Sequence, residues 1–229
     1  MIEHVRRRAI LANIFSDVYV ATCDEEISEI VENNGGKIIN TSNKHINGTS
    51  RAAEAVRDLD CTHIILLQGD EPLILPNQLK IINDTIINEP NCDAWNATGI
   101  IENKEDLYKN SFVKCLISQD GYIYDFFRNY SKIEDAKNNS LIIRKVLGII
   151  AYKKEILQKI VNTDLSSKEK IELIEQIRIV DNNFKLKSIS ITPTLPSVNE
   201  PEEVEIVNEY ISKNEEQKKL IKLIQNWQK

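Results

Sequence analysis

Apolar runs and amphipathic stretches alternate along most of the chain. Asp17–Thr22, Lys37–Asn40, Thr62–Leu67 and Ala94–Thr98 each read as a strand, and segments with apolar residues at helical spacing separate them. The predicted helices run from Cys23 to about Asn33, where Gly35 and Gly36 stop the pattern, then over Ala52–Leu59 and Gln78–Ile87. One helix precedes every strand. Over residues 2–14, Ile2, Val5, Ala9, Ile10 and Leu11 fall on one side and Arg6, Arg7 and Arg8 on the other, so the pattern predicts a solvated basic face.

Beyond residue 110 the rhythm changes. Phe112–Ile117 and Tyr122–Arg128 flank an Asp120-Gly121 pair, which predicts a β-hairpin. The polar stretch Tyr130–Asn139 predicts a mobile loop, and Leu141–Tyr152 returns to strand. Helices follow over Glu155–Val161 and Ser167–Val180, the second opening on a capping-box pattern at Ser166 and Glu169. A strand at Ile189–Thr192 and a charged helix from Glu202 onward close the chain. There is no internal repeat or low-complexity linker, so one α/β domain is predicted over 1–229, with a hairpin insertion at approximately 112–150.

One strand carries the chemistry. Ile64-Ile65-Leu66-Leu67 suits a strand buried on both faces, and Gly69 and Pro72 end it in a turn holding Asp70 and Glu71. Open α/β sheets bind ligands at the carboxyl ends of their strands, and a carboxylate there suits a hard cation such as Mg²⁺. The alternative is an acidic turn that only solubilises the strand end; the turn alone does not decide between them. A second candidate is Gly48-Thr49-Ser50-Arg51, with His45 just upstream. It offers backbone N–H groups, hydroxyls and a guanidinium at a helix start, suited to a phosphate or carboxylate; a plain cap by Thr49 or Ser50 is the competing reading.

Composition narrows the function classes. A net charge of −6 over 229 residues argues against a general nucleic-acid binder. Cys23, Cys61, Cys92 and Cys115 are scattered without a CxxC pair, as expected of reduced thiols in a cytoplasmic protein. No apolar run approaches the roughly twenty residues that span a bilayer, and the basic start lacks a signal peptide's apolar core. His63, Trp95 and Tyr124 read as structural or packing residues.

Taken in order, several motifs resemble one family. QGDEP after an aliphatic strand, with HxxGTxR upstream, is similar to the sugar-acid cytidylyltransferases; so are VATCDEEI, DGYIYDFFR, VLGIIAY, EKIELIEQIRIV and PSVNEPEEVEIV. The resemblance implies a three-layer, Rossmann-like α/β fold with a mixed, mostly parallel sheet and a β-hairpin insertion used for homodimerisation, to which Phe126, Phe127 and Tyr130 would contribute. It implies CMP transfer from CTP to a 2-keto sugar acid such as 3-deoxy-manno-octulosonate, in making lipopolysaccharide or surface-polysaccharide precursors, with Mg²⁺ and neither nucleic acid nor membrane as partner. By similarity Asp70 and Asn199 hold the metal, and Asp70 and Arg128 serve catalysis. Gln68, Glu175 and Gln176 meet the sugar acid, and His45, Gly48, Thr49 and Arg51 lie near the nucleotide.

Three departures qualify these expectations. The chain opens at MIEHVRRRA, which matches the helix after the family's basic phosphate loop. Without that loop CTP affinity is expected to fall, since each charge-assisted contact contributes roughly 1.5–3 kcal/mol. Asn199 stands where the family has a metal-binding aspartate, and Val146 and Ile150 stand where it has a histidine and a tyrosine in the sugar pocket. These changes keep open a non-catalytic paralogue acting as a binding or partner subunit, or an enzyme with another acidic sugar.

Overall fold

The computed structural model describes residues 1–130 and 142–227, so most of the polar stretch 130–139 lies outside the described residues. The chain resolves into two compact units, the first built from Met1–Ala55, Leu67–Asn83 and Leu195–Lys229, the second from Val56–Leu66 and Asp84–Thr194.

In the first unit α1 (Ile2–Ala12) leads into β1 (Tyr19–Thr22), α2 (Glu25–Asn33), β2 (Lys37–Asn40) and α3 (Gly48–Ala55). β1 and β2 pair in parallel, from Tyr19 opposite Lys37 to Thr22 opposite Asn40. Asp24 starts α2 by accepting from the Ile27 N–H at 3.0 Å. The charged C-terminal segment forms two helices, α8 (Glu203–Lys213) and α9 (Glu215–Gln225), because Asn214 leaves helical geometry and caps the second by accepting from Gln217 N–H. Leu73, Leu75, Leu195 and Val207 form a core cluster, with Val198, Tyr210, Ile211 and Leu220 packed against it.

The arginines predicted to face water on α1 do not. Arg6, Arg7 and Arg8 are all buried. Arg6 and Arg7 share the carboxylate of Glu3, at 2.6 and 2.9 Å, and reach the carbonyl and side chain of Asn34 at the end of α2. Arg7 also donates to the carbonyl of Ile224 in α9. Helix ends leave carbonyls without partners, and a guanidinium with five donors can go inside when it satisfies them. His4, expected on the same exposed helix, is half-buried, and burial lowers its pKa. Gly36 is needed where α2 ends, since a Cβ there would collide with Val31 and crowd the Arg6 guanidinium.

The second unit is built on a six-stranded mixed sheet. It contains β3 (His63–Leu67), β4 (Ala94–Gly99), β5 (Lys114–Ile117), β6 (Ile123–Phe127), β7 (Ile142–Lys153) and β8 (Leu186–Ser190), in the order β6-β5-β7-β4-β8 with β3 also pairing β7. β8 runs parallel to β4, whereas β7 is antiparallel to both β4 and β5. Helix α4 (Pro76–Asn88) bridges the sequence between the units, and α5 (Lys154–Val161), α6 (Ser167–Glu172) and α7 (Ile177–Asp181) complete the second. The expected hairpin is present: β5 and β6 pair antiparallel, and Gly121 takes φ +84° in the turn.

Two expectations about this unit change. The helix expected over Ser167–Val180 breaks into α6 and α7, because Leu173 adopts the left-handed conformation at the end of α6. Ser166 does cap α6, but Glu169 pairs with the buried Arg178 at 2.5 Å. The apolar patch expected on the hairpin is also reduced: Phe126 and Phe127 are core residues, and Tyr130 packs edge-on against Tyr108. Trp95 is fully buried, whereas Tyr124 is exposed. All four cysteines are free thiols.

Candidate active site

β3 delivers the chain into the turn Gln68–Leu75, and contacts to the backbone hold that turn. The Val198 N–H donates to the Asp70 carbonyl at 2.9 Å. Arg8 Nη1 donates to the carbonyls of Leu73 and Ile74, at 3.3 and 3.0 Å, and Gln217 Nε2 reaches Leu73 O at 2.8 Å. Gln217 Oε1 accepts from Arg8 Nη2 at 2.7 Å, so α1, the turn and α9 are tied through one polar knot. The sequence pattern missed both of these positioning residues.

The Asp70 side chain is free of that knot. Its Oδ1 is sealed from solvent and no donor reaches it. Burial raises the pKa of this carboxyl, and the charge of Glu203 raises it further. A sealed carboxylate oxygen without a donor is costly unless a cation or ligand donor completes it, which argues against a merely solubilising acidic turn. Glu71 is buried as well. Asn199 lies next to Val198; its Nδ2 donates to Ser197 Oγ at 3.0 Å and to Glu203 Oε2 at 3.1 Å. Asp70 and Asn199, the expected metal pair, are therefore on neighbouring loops. Gln68 is half-buried at the mouth of the turn.

At the start of α3 the cap comes from a residue the sequence reading passed over. Asn47 Oδ1 accepts from the Ser50 N–H at 2.9 Å, so neither Thr49 nor Ser50 is needed as N-cap. Helix α3 thus begins at Gly48, four residues before the expected Ala52. Arg51 Nη1 donates to Thr41 Oγ1 at 2.6 Å, and His45 Nε2 contacts the Glu54 carboxylate, which also accepts from Ser42 N–H. Both side chains pin the loop 41–47 onto α3, and Thr49 is buried.

Arg128, Glu175 and Gln176 belong to the second unit. The Arg128 guanidinium donates to the carbonyls of Glu172, Asn110, Ser111 and Leu173, at 2.9, 3.0, 3.3 and 3.4 Å. It therefore caps α6 and fixes the bend in which Glu175 and a buried Gln176 sit, not on a continuous helix as expected. Val146 is half-buried opposite Thr98, and Ile150 lies in the core opposite Asn96.

Lys114 stands beside Arg128, fully buried, and its Nζ donates to the carbonyls of Lys109 and Arg128. Burial, then the charge of Arg128, lowers its pKa from 10.5 to about 8. The unfolded chain binds more protons than the folded one between those values, so the Lys114 contribution to stability rises with pH across that window, and its penalty is complete below it. Urea midpoints of the parent and Lys114→Met, measured from pH 7.5 to 10, should differ in slope, with the parent rising more steeply. Parallel profiles would contradict the assignment.

Set beside known proteins, the chain finds consistent relatives. The sequence profile described as cytidylyltransferase matches residues 1–189. A 3-deoxy-manno-octulosonate cytidylyltransferase of Thermodesulfovibrio yellowstonii is 33% identical over 93% of this chain and 88% of its own length. One of Fusobacterium nucleatum is 34% identical over 93% and 87%, and an 8-amino-3,8-dideoxy-manno-octulosonate cytidylyltransferase of Shewanella piezotolerans is 31% identical over 90% and 85%. Among solved structures, CMP:2-keto-3-deoxy-manno-octonic acid synthetase complexed with CTP superimposes with a TM-score of 0.83 at 28% identity, covering 93% of this chain and 87% of the other.

Proposed function

We propose that this chain, which belongs to the cytidylyltransferase family, transfers CMP from CTP to a 2-keto sugar acid of the octulosonate type, releasing pyrophosphate. The observation that carries the reading is Asp70: a buried carboxylate oxygen without a donor, at the carboxyl end of a strand. The alternative sugar is the 8-amino analogue named for one relative.

The residues fit a magnesium ion in donor chemistry. Asp70 supplies a hard oxygen and Asn199 an amide oxygen, its nitrogen being engaged by Ser197 and Glu203, and these two would hold it. When bound, the ion neutralises charge on the triphosphate.

The rest follows from the protein's own groups. In such a transfer the sugar's anomeric hydroxyl attacks the α-phosphorus and pyrophosphate leaves, so positioning and charge stabilisation dominate. The first N–H groups of α3, around Gly48 and Thr49, suit a nucleotide phosphate. Arg51 and His45 shape the loop beside them. Gln68 offers an amide to the sugar acid. Arg128 enters as a positioning residue, because carbonyls already occupy its donors and it sets the bend carrying Glu175 and Gln176.

The purified chain with CTP and Mg²⁺ is expected to release pyrophosphate with 3-deoxy-manno-octulosonate or its 8-amino analogue, and not with neutral hexoses. Silence with both acids, together with no calorimetric binding of CTP, would leave a non-catalytic relative of the enzymes.

A further inference from the structure

The second unit encloses a lysine that no carboxylate bonds. Lys114 lies in β5, opposite Phe127 of β6 and Lys145 of β7, and its side chain is completely buried. Lysine is almost never fully buried unless it is paired. Among the described residues the partners of its Nζ are two carbonyls, those of Lys109 and Arg128. Asp106, in the short 3₁₀ helix Lys104–Tyr108, acts on it only through space, since that carboxylate pairs with Lys109 Nζ at 2.7 Å.

The two carbonyls belong to segments that Arg128 also joins. Lys114 Nζ donates to the carbonyl of Lys109, and the Arg128 guanidinium donates to the next two, Asn110 and Ser111, at 3.0 and 3.3 Å. Successive carbonyls of one loop are thus committed to two cations. Arg128 then reaches the other way: its N–H donates to Glu172 Oε2 at 3.1 Å, its Nε to Glu172 O at 2.9 Å and its Nη2 to Leu173 O at 3.4 Å. Leu173 is the left-handed residue that ends α6, and Glu175 and Gln176 follow it before α7. Just past them Arg178 is locked to Glu169, a buried pair at 2.5 Å. The bend is held from both ends, and the Lys114 bond to Arg128 O fixes the backbone from which one hold is made.

Stabilising the fold is a poor explanation for such a group. A methionine would fill a similar volume without burying a charge. What the ammonium supplies is geometry, because its two bonds fix where one loop and one strand end lie. We propose that Lys114 is a positioning residue for the sugar acid: through the backbone of Arg128 it sets the bend that presents Glu175 and Gln176. The proposal rests on the transferase reading above and deepens it, since it gives a part in recognition to a side chain too buried to meet a substrate itself. The competing role is stabilisation alone, in which Lys114 only secures the loop after the 3₁₀ helix. The two roles differ in which kinetic constant moves.

The test follows pyrophosphate release by the purified chain, with CTP and the sugar acid that the parent turns over varied separately at fixed Mg²⁺, alongside a thermal melt. Lys114→Met keeps most of the volume and removes both donors. Its KM for the sugar acid is expected to rise by on the order of tenfold, with kcat and the KM for CTP within about twofold of the parent's. Lys114→Arg, which keeps donors at a different reach, should fall between the two. Lys154→Met is the control: it removes another lysine-to-carbonyl bond in the same unit, to Leu59 O, and should leave both KM values alone whatever it does to the melt. Adding Lys114→Met to Gln176→Ala should raise the sugar-acid KM little beyond Gln176→Ala alone, because one residue acts through the other. A folded Lys114→Met protein with a parent-like sugar-acid KM would overturn the proposal, as would a parallel rise in both KM values or full additivity in the double variant. If Lys114→Met does not fold, the comparison passes to Lys114→Arg, whose sugar-acid KM alone should exceed the parent's; a parent-like value there overturns the proposal. A parent chain that turns over neither octulosonate removes the transferase reading itself, and that result comes from the parent before any variant is made.

Discussion

Asp70→Asn is expected to lower the rate of CMP transfer by on the order of 10²–10³-fold, the usual cost of removing one group that stabilises developing charge in a preorganised site. The fold should survive. The bonds by which Val198, Arg8 and Gln217 hold the turn are made to its backbone, and none of these three residues uses the Asp70 carboxylate. An isosteric amide removes a sealed carboxylate with an unpartnered oxygen, so the melting temperature in metal-free buffer should match or exceed the parent's. A site residue held against its own stability preference has this signature: activity falls while stability does not. Pyrophosphate release and a thermal melt on the same preparation check it. An Asp70→Asn protein that turns over like the parent would remove the central support for the assignment.

The elements of the fold were legible where one periodicity ruled. β2 is the predicted strand residue for residue, and β4 is the predicted strand extended by Gly99. Boundaries failed where a distant side chain decides them. The helix across Ser167–Val180 breaks because Arg128, far away in sequence, takes up the carbonyls of Glu172 and Leu173. Helix α3 starts early because Asn47, ahead of the expected Thr49 or Ser50, supplies the cap. The acidic turn was legible as chemistry from its place after an aliphatic strand, but its support was not. A triple arginine on an amphipathic helix looks like a solvated face because sequence shows charge and not the carbonyls awaiting it. Likewise nothing in PSVNEPEEVEIV shows that the Val198 N–H will tie its loop to the carbonyl of Asp70.

Arg8 is where that blindness has the largest consequence for stability. It is completely buried, its Nε has no partner, and burial lowers its pKa to about 10, so it stays protonated at neutral pH without an ion-pair contact to a carboxylate. Such a group persists because its donors satisfy Leu73 O, Ile74 O and Gln217 Oε1. Arg8→Ala opens a cavity and strips the Ile74 carbonyl and the Gln217 amide of their donor, so a loss of about 2–5 kcal/mol is expected in urea denaturation. Arg8→Met restores volume and removes the buried charge, yet leaves the same acceptors bare. It should recover only part of the loss, which separates packing from hydrogen bonding. Because Gln217 bonds both Arg8 and Leu73, the double variant Arg8→Ala/Gln217→Ala should lose less than the sum of the singles, with a coupling of roughly 0.5–3 kcal/mol. Additive losses would show that the two side chains act separately. Coupling would show that the turn carrying Asp70 is set by one knot whose members lie on the first and last helices of the chain.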